Sequence, residues 1–170
     1  TYKVVASSPQ AGAAIKAALS QLGVRYRWGA SSPGVAFDCS GLTQWAWGKA
    51  GVSIPRVSRS QYAALTRVPI SQAQPGDLLF SQSTFFHVGI YIGNGQFLHA
   101  PRTGRDVTVS SLTSGYWAQK YLEARRVAAA DGAHQQLGDV AVGAQAMQDR
   151  RRKAAEPGRL GVDVQRVPVA

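Results

Sequence analysis

The side chains with the clearest potential for chemistry are a single cysteine, Cys39, and two histidines, His87 and His99. Cys39 lies in the stretch FDCSGL (37–42), where a glycine-rich loop gives way to a predicted helix. Unpaired N–H groups at a helix N-terminus favour negative charge, so we expect this position to lower the pKa of the thiol. The same groups could stabilise an oxyanion. Cys39 is therefore predicted to be a nucleophile, although a lone cysteine is more often a small buried hydrophobic residue.

Two other interpretations of Cys39 compete with this one. A cysteine of the core would have apolar neighbours, whereas Asp38, Ser40 and a glycine flank it. Zinc could be held by Cys39, His87 and His99 with one coordination position left open. However, only Asp38 lies near enough in the sequence to serve such a metal as a general base. We therefore prefer thiol chemistry and predict that the protein uses no metal and no other cofactor.

The two histidines are predicted to lie on one β-hairpin. His87 begins the strand FHVGIYI (86–92), and His99 lies near the end of the strand QFLHA (96–100). The sequence Gly-Asn-Gly between the strands is typical of a tight hairpin turn. The face that each histidine occupies therefore depends on the register of the hairpin.

Two registers are possible. A two-residue turn pairs Ile90 with His99 and leaves His87 on the opposite face. A three-residue loop, or its bulged equivalent, pairs Gly89 with His99 instead. The second register separates aliphatic from polar side chains, so we predict it. The two histidines are then diagonal neighbours about 7–8 Å apart at the backbone.

In this register the three side chains form the arrangement of a catalytic triad. Cys39 attacks, His87 accepts its proton, and His99 orients the ring of His87. This interpretation places the helix that carries Cys39 over the sheet face that carries both histidines. The remaining histidine, His134, has no comparable neighbours and is left out of the predicted site.

The surrounding elements indicate an α+β fold with helices packed on an antiparallel sheet. Helical spacing of apolar residues predicts helices over 9–22 and 39–50 and a short helix that begins at Ser58 or Ser60. After these helices the pattern changes to the alternation of strands, which are predicted over 77–81, 86–92, 96–100, 106–110 and 121–127.

The composition is that of one basic domain. The chain has 170 residues, 45% of them hydrophobic, and a net charge of +10. Residues 1–129 hold 13 Lys or Arg against 4 Asp or Glu, and this charge favours anionic partners. The basic residues are scattered and no groove-reading motif is present, so we predict no nucleic-acid binding. No apolar run is long enough for a transmembrane helix, and a single cysteine excludes an intramolecular disulfide.

Composition also suggests where the domain ends. We expect residues 1–8 to be an N-terminal segment and residues 9–127 to be the catalytic domain. Residues 128–170 lack aromatic side chains, so we expect a tail or extension that is partly disordered or draped on the domain. The first residues lack the features of a signal peptide, and we interpret the chain as a processed or truncated piece.

Five stretches of the sequence resemble the NlpC/P60 family of cell-wall cysteine peptidases. In chain order they are YRWGA (26–30), FDCSGL (37–42), PRVSRSQ (55–61), QPGDLLF (74–80) and HVGIYIGNGQFLHAP (87–101). The resemblance covers roughly residues 10–127. It implies a papain-like core. It also implies hydrolysis of a peptide bond in the peptidoglycan stem, commonly between D-glutamate and a diamino acid.

The resemblance assigns the same three residues to catalysis. Cys39 matches the family's nucleophile, His87 its base and His99 its third polar member. Tyr26, in the motif YxWG, is implied to line the site near the thiol and to support the oxyanion.

Further residues match positions around the cleft of the family. Asp38 and Ser40 are implied to help bind the stem peptide. Arg56, Ser58 and Gln61 match a stretch that borders the cleft, with a structural or a substrate-lining role.

The resemblance also implies a setting. We expect a secreted protein of the cell wall or periplasm, acting as a monomer on peptidoglycan stem peptides, with anionic wall polymers as further partners. A non-catalytic peptidoglycan-binding module is one alternative, and a papain-like amidase or acyltransferase with the same Cys/His chemistry is another. An inhibitory segment that covers the cleft could come from the first ten residues or from the tail.

Overall fold

The computed structural model of the chain describes residues 2–82, 86–127 and 139–142. Helices pack on an antiparallel sheet, which confirms the α+β architecture expected from the sequence. The helices are α1 (Pro9–Leu19), α2 (Cys39–Lys49) and α3 (Ser58–Ala64). The strands are β1 (Tyr2–Val5), β2 (Arg25–Tyr26), β3 (Ser31–Ser32), β4 (Ala36–Phe37), β5 (Thr66–Val68), β6 (Leu78–Gln82), β7 (Phe86–Gly93), β8 (Gln96–His99), β9 (Thr108–Ser111), β10 (Tyr121–Arg126) and β11 (Asp139–Val142).

The two longer helices each begin at a side-chain cap. Ser8 accepts the N–H of Ala11 at 3.1 Å at the start of α1. Asp38 accepts the N–H of Gly41 at 2.7 Å at the start of α2. Each cap satisfies an N–H group that has no partner inside its helix. Within the described ranges, no helix has the length and apolar character needed to cross a bilayer.

The main sheet has the strand order β5-β10-β6-β7-β8-β9, and each pair of neighbours is antiparallel. Strands β6 to β10 confirm the strands predicted from the alternating pattern, with ends that shift by one or two residues. Strand β5 is not predicted, because the three residues Thr66–Val68 are too few to show an alternating pattern. The same reason applies to β2, β3 and β4, which form a small sheet of their own.

The two faces of the main sheet are covered by different parts of the chain. Helices α1 and α2 pack on one face, in a core that includes Leu42 of α2 and Ile90 of β7. The opposite face carries a smaller core with Leu79 and Phe97, against which Trp117 packs. Alternation along β7 and β8 puts the side chains of the two histidines on the second face.

Strands β1 and β11 form a separate antiparallel pair, with Tyr2 opposite Val142. Tyr2 and Val4 are buried in the helix-side core of the main sheet. The predicted N-terminal segment 1–8 thus contributes side chains to that core. The predicted tail, 128–170, lies outside the described residues except for β11.

Candidate active site

The candidate nucleophile is the first residue of α2, and its position is fixed by Asp38. One carboxylate oxygen of Asp38 accepts the N–H of Gly41 at 2.7 Å, and the other accepts the N–H of Gly29 at 2.9 Å. Asp38 therefore ties the preceding loop to the first turn of the helix. This anchoring sets the direction in which the side chain of Cys39 leaves the backbone.

Arg56, in the loop before α3, binds the same helix start. Its guanidinium lies 3.0 Å from each carboxylate oxygen of Asp38 and donates to the hydroxyl of Ser40 at 2.9 Å. A carboxylate has about four lone-pair positions, and two backbone N–H groups and this guanidinium fill them. Asp38 thus has a capping and ion-pairing role, and its predicted contact with a substrate remains a prediction.

The thiol of Cys39 reaches the main sheet at β7. The backbone N–H groups of Val88 and Ser40 donate hydrogen bonds to it. Because α2 packs on the aliphatic face of the sheet, the expectation that it covers the histidine face is wrong. The thiol instead meets the strand backbone, which both faces share, beside His87.

Burial raises the pKa of the Cys39 thiol to about 11. The N–H groups of Val88 and Ser40 and the charge of Arg56 lower this pKa, while the charge of Asp38 raises it. Loss of water around a thiolate outweighs the favourable groups at the helix start. The expectation that this position lowers the pKa of Cys39 is therefore wrong.

The hairpin of β7 and β8 has the register predicted from the sequence. Asn94 and Gly95 form a two-residue turn with φ angles of 54° and 69°. A bulge at Ile92 then shifts the pairing by one residue, so that Ile90 pairs with Leu98. The bulged register is confirmed, and it places both histidines on one face.

The two histidines form the centre of a hydrogen-bonded chain. Nε2 of His87 lies 2.8 Å from Nδ1 of His99, and Nε2 of His99 lies 2.8 Å from Oγ of Ser110 on β9. Both histidines are fully buried. Trp117 stacks on His87 with ring centroids 4.9 Å apart, and it meets His99 edge-on at 5.0 Å. The indole therefore shields the hydrogen bond between the two imidazoles from water.

Burial also sets the charge of the two histidines. It lowers the pKa of His87 to about 3. It lowers the pKa of His99 well below the usual value, and the neighbouring charge of His87 lowers it further. Both rings are therefore neutral near neutral pH. Because the two ring nitrogens of His99 are directed at His87 and Ser110, the geometry does not fit His99 as a zinc ligand.

A cleft of ≈ 590 Å³ opens beside Cys39. Its walls are formed by Tyr26 of β2 and the loop after it, by the start of α2, and by the loop before α3 together with the first two residues of α3. Of the residues predicted from the sequence to bind substrate or border the cleft, those that line it are Tyr26, Asp38, Ser40, Arg56 and Ser58. Residues 2–10, one candidate for an inhibitory segment, form β1 and the start of α1 and are not part of these walls.

Tyr26 is buried at the side of the cleft. Burial, followed by the charges of Cys39 and Asp38, raises the pKa of its hydroxyl to about 12. The hydroxyl thus remains protonated near neutral pH and can act as a hydrogen-bond donor next to the thiol.

Gln61 lies beneath the cleft and not in its wall. It is fully buried, and its amide donates to the carbonyls of Ser40 at 3.0 Å and Pro55 at 2.9 Å. Its amide oxygen accepts the hydroxyl of Thr43 at 2.8 Å. Of the two roles expected for Gln61, the structural one fits these bonds, since they join α3 to the first turn of α2.

Several residues of the site are not found by reasoning from the sequence. Ser110 and Trp117 contact the histidines from a different strand and from the short 3-10 helix Tyr116–Gln119. Trp28 and Val57 line the cleft and are 81% and 54% exposed. Trp28 lies in the stretch YRWGA that the sequence analysis singles out, but its exposure and that of Val57 are properties of the folded chain.

The family match and the similar proteins agree with one another. The sequence matches the NlpC/P60 family over residues 23–126. It is 42% identical over 116 residues to the murein DD-endopeptidase MepH of Escherichia coli strain K12, across 64% of this chain and 43% of that protein. It is 39% identical over 118 residues to the bifunctional muramidase/DL-endopeptidase CwlT of Bacillus subtilis strain 168, across 66% of this chain and 35% of that protein. The chain thus spans less than half the length of these two relatives.

A solved structure supports the same assignment. A protein of the NLP/P60 family from Staphylococcus aureus, described as similar to a lipoprotein, superposes with a TM-score of 0.64 and 36% identity. The superposition covers 75% of this chain and 44% of that one. The α+β architecture is therefore papain-like. A family match that covers more than half of the residues, together with this fold, shows that the chain belongs to the NlpC/P60 family.

Proposed function

We propose that the chain is a thiol-dependent endopeptidase that hydrolyses a bond in the stem peptide of peptidoglycan. The observation that supports this most directly is the position of the Cys39 thiol, which lines the cleft and accepts the N–H of Val88, the residue next to His87. His87 is in turn hydrogen bonded to His99. The substrate class is supported by relatives whose names describe endopeptidases, one of them acting on murein.

In the proposed reaction, His87 acts as the base through Nδ1, because its Nε2 is directed at His99. A thiol pKa of about 11 and an imidazole pKa of about 3 make the resting pair neutral. Proton transfer from sulfur to Nδ1 therefore accompanies attack on the scissile carbonyl. The imidazolium then protonates the leaving amine, and a water molecule deprotonated by His87 hydrolyses the thioester.

The negative charge of the tetrahedral intermediate needs donors close to the sulfur. The backbone N–H of Cys39 is at the first position of α2, where helix N–H groups have no partner inside the helix. The Tyr26 hydroxyl lines the same cleft and stays protonated. We assign these two donors to the oxyanion.

The bond that we propose is the one between D-glutamate and the diamino acid. The names of the two relatives describe different activities, since one is a DD-endopeptidase and the other a DL-endopeptidase. The two activities leave different products. Cleavage after D-glutamate shortens a stem peptide, whereas cleavage between two D-centres opens a cross-link and leaves the stems at full length.

Mass spectrometry of stem peptides provides the test. Purified peptidoglycan and a soluble stem peptide are incubated with the wild-type protein and with Cys39→Ala. We expect shortened stems with the wild type and intact stems with the variant. Intact stems with a wild-type protein whose thiol is reduced and reactive would overturn the proposal, and separated but full-length stems would replace the DL bond with the DD bond.

Two alternatives make different predictions in the same experiment. A non-catalytic wall-binding module, favoured by the basic charge, would bind walls equally well with Cys39→Ala and release no peptide. An amidase or acyltransferase would modify the substrate through the same thiol. It would form a covalent Cys39 adduct, but the stem would be released or substituted at a different bond.

A further inference from the structure

The hydrogen-bonded chain beside the nucleophile extends one residue beyond the histidine pair. His99 Nε2 lies 2.8 Å from Ser110 Oγ, and His99 Nδ1 lies 2.8 Å from His87 Nε2. His99 is fully buried and Ser110 is half-buried on the neighbouring strand β9. Both nitrogens of the His99 ring are therefore engaged, and the direction of each hydrogen bond depends on where the protons reside.

Only one distribution of protons allows His87 to act as a base. Nδ1 of His87 must be free of a proton to accept one from the thiol, so its proton must be on Nε2. That N–H donates to Nδ1 of His99, which must then be unprotonated. A neutral His99 consequently carries its proton on Nε2 and donates it to Ser110 Oγ.

The opposite distribution would block the reaction. If the Ser110 hydroxyl donated to Nε2 of His99, the proton of His99 would be on Nδ1 and would point at Nε2 of His87. His87 would then carry its proton on Nδ1, towards the thiol, and could not accept another. The two distributions therefore differ in whether the Ser110 hydroxyl donates to His99 or accepts from it.

We propose that Ser110 is a positioning residue that accepts the Nε2 proton of His99 and thereby holds both histidines in the tautomer that can deprotonate Cys39. The proposal rests on the proposed function, because it concerns the proton transfer of that same site. Ser110 is not among the residues that line the cleft, and the hydrogen bond of its hydroxyl joins it to His99, so its effect on the thiol is transmitted through His99.

The surroundings of His99 leave Ser110 as the group suited to this task. Phe97, on its own strand, contacts the imidazole through its ring at 4.3 Å, and Trp117 does so at 5.0 Å. His87 on β7 provides the other polar contact, and it is neutral near pH 7. The charges nearest to the site, Asp38 and Arg56, bind each other at the start of α2.

The tautomers can be read directly by NMR. The chain has three histidines, so histidine labelled with 15N gives few side-chain signals, and His134→Gln identifies the third. Long-range 1H–15N correlations distinguish a proton on Nδ1 from one on Nε2. We expect the Nε2–H tautomer for both His87 and His99 in the wild type.

Three variants separate the acceptor role from a structural one. Ser110→Ala removes the acceptor, and we expect a mixture of tautomers for His99 and a kcat lowered about 3- to 10-fold with an unchanged KM. Ser110→Thr keeps a hydroxyl and should restore both the tautomer and kcat. The matched control is Thr108→Ala, which removes a hydroxyl from β9 directly opposite His99. It should change neither quantity.

The outcomes separate this proposal from the proposed function. An Nδ1–H tautomer of His99 in the wild type, or unchanged tautomers and kcat in Ser110→Ala, would overturn the role of Ser110. If no peptidoglycan bond is cleaved, the tautomers of His87 and His99 alone decide whether Ser110 has this role. A Ser110→Thr variant as impaired as Ser110→Ala would show that packing at β9, and not the acceptor, is needed.

Discussion

At the scale of single residues, two opposing contributions determine the protonation state of Cys39. The N–H groups of Val88 and Ser40 favour the thiolate, while burial favours the thiol and has the larger effect on the pKa. Burial of the His87 imidazole also disfavours a positive charge on that ring. A preformed thiolate–imidazolium pair is therefore not the resting state, and substrate must be present when the proton moves.

The rate of alkylation of the single cysteine reports the protonation state of Cys39. We expect the rate of reaction of Cys39 with iodoacetamide to rise about tenfold for each pH unit from about pH 6 to pH 9, since the thiolate fraction rises in that way below a pKa of about 11. Mass spectrometry of the intact protein gives the rate, and Cys39→Ser is the unreactive control. A rate that is high and constant across this range would contradict the expectation, because it would reveal a thiolate stabilised by an imidazolium.

At the scale of elements, the hairpin of β7 and β8 positions the site through its register. The turn residues and the separation of aliphatic from polar side chains predict that register, because both are local properties of the sequence. The bulge at Ile92 reconciles a two-residue turn with the register that puts both histidines on one face. The fold class, the register of the hairpin and the contact between His87 and His99 were therefore accessible from the sequence.

Features that depend on contacts between distant elements could not be predicted from the sequence. The sequence shows that α2 has an apolar side, but not which sheet face it covers or where its first residue meets the sheet. Nor does it show that Ser110 and Trp117 approach the histidines, because each is one residue without a periodic pattern. The pKa of Cys39 was misjudged for the same reason, since burial is a property of the assembled structure.

Gly89 makes the close packing of this hairpin testable. A Cβ atom at this position would lie 2.8 Å from the ring of Phe97 and 3.0 Å from Cβ of His99. We expect Gly89→Ala to displace His99 and to lower kcat/KM about 10- to 100-fold, because misplacement by about 1 Å has effects of this size. The free energy of unfolding should fall by about 1–3 kcal/mol.

Gly48→Ala is the matched control for this substitution. A Cβ atom at Gly48, near the end of α2, has nothing within 4 Å. We expect its stability to be unchanged or raised by about 0.4–1 kcal/mol, with activity retained. Urea unfolding measures the stability of both variants, and cleavage of a stem peptide measures their activity. Equal activities of the two variants would contradict the argument that His99 needs the space above Gly89.

At the scale of the whole molecule, the two buried histidines link stability to pH. Their pKa values are lower in the folded protein than the usual value of about 6.5 in an unfolded chain. Unfolding therefore takes up protons below about pH 6.5. The stabilisation is complete above that pH and is lost as the pH falls towards the folded-state pKa, which for His87 is about 3.

The comparison of wild type with His99→Gln isolates this effect. Between about pH 7 and pH 4.5, we expect the wild type to lose more of its unfolding free energy than the variant, since one buried imidazole whose pKa is lowered by burial has been removed. Urea unfolding at each pH gives the values, and acidic groups contribute equally to both proteins. Parallel pH profiles would show that His99 is not kept neutral by the fold.

Four basic residues lie on segments that adjoin Tyr26 of the cleft wall. Arg25 and Arg27 flank Tyr26 of the cleft wall. The loop that carries Arg102 and Arg105 lies next to this strand, since the N–H of Tyr26 donates to the carbonyl of Arg105 at 3.0 Å. All four arginines are exposed. We call these four residues the basic lip, and we expect it to attract anionic wall polymers towards the cleft.

Salt dependence tests the basic lip. We expect the double variant Arg102→Gln/Arg105→Gln to bind isolated walls more weakly than the wild type and with a smaller dependence on salt concentration, while cleavage of a short soluble stem peptide is unchanged. Lys16→Gln/Lys49→Gln removes the same charge from exposed positions on α1 and α2 and should bind like the wild type. Equal losses in the two double variants would assign the binding to net charge alone.

The pairing of β1 with β11 has a consequence for how the domain can be divided. Residues 23–126 match the family, yet α1 and β1 precede that range and supply buried side chains such as Val4, Ile15 and Leu19 to the helix-side core. Strand β11 follows the range and pairs with β1. We therefore expect the unit that folds on its own to be larger than the family match. A fragment trimmed to residues 23–126 would expose the apolar side of α2, and its missing first helix could be supplied in trans as a complementing peptide.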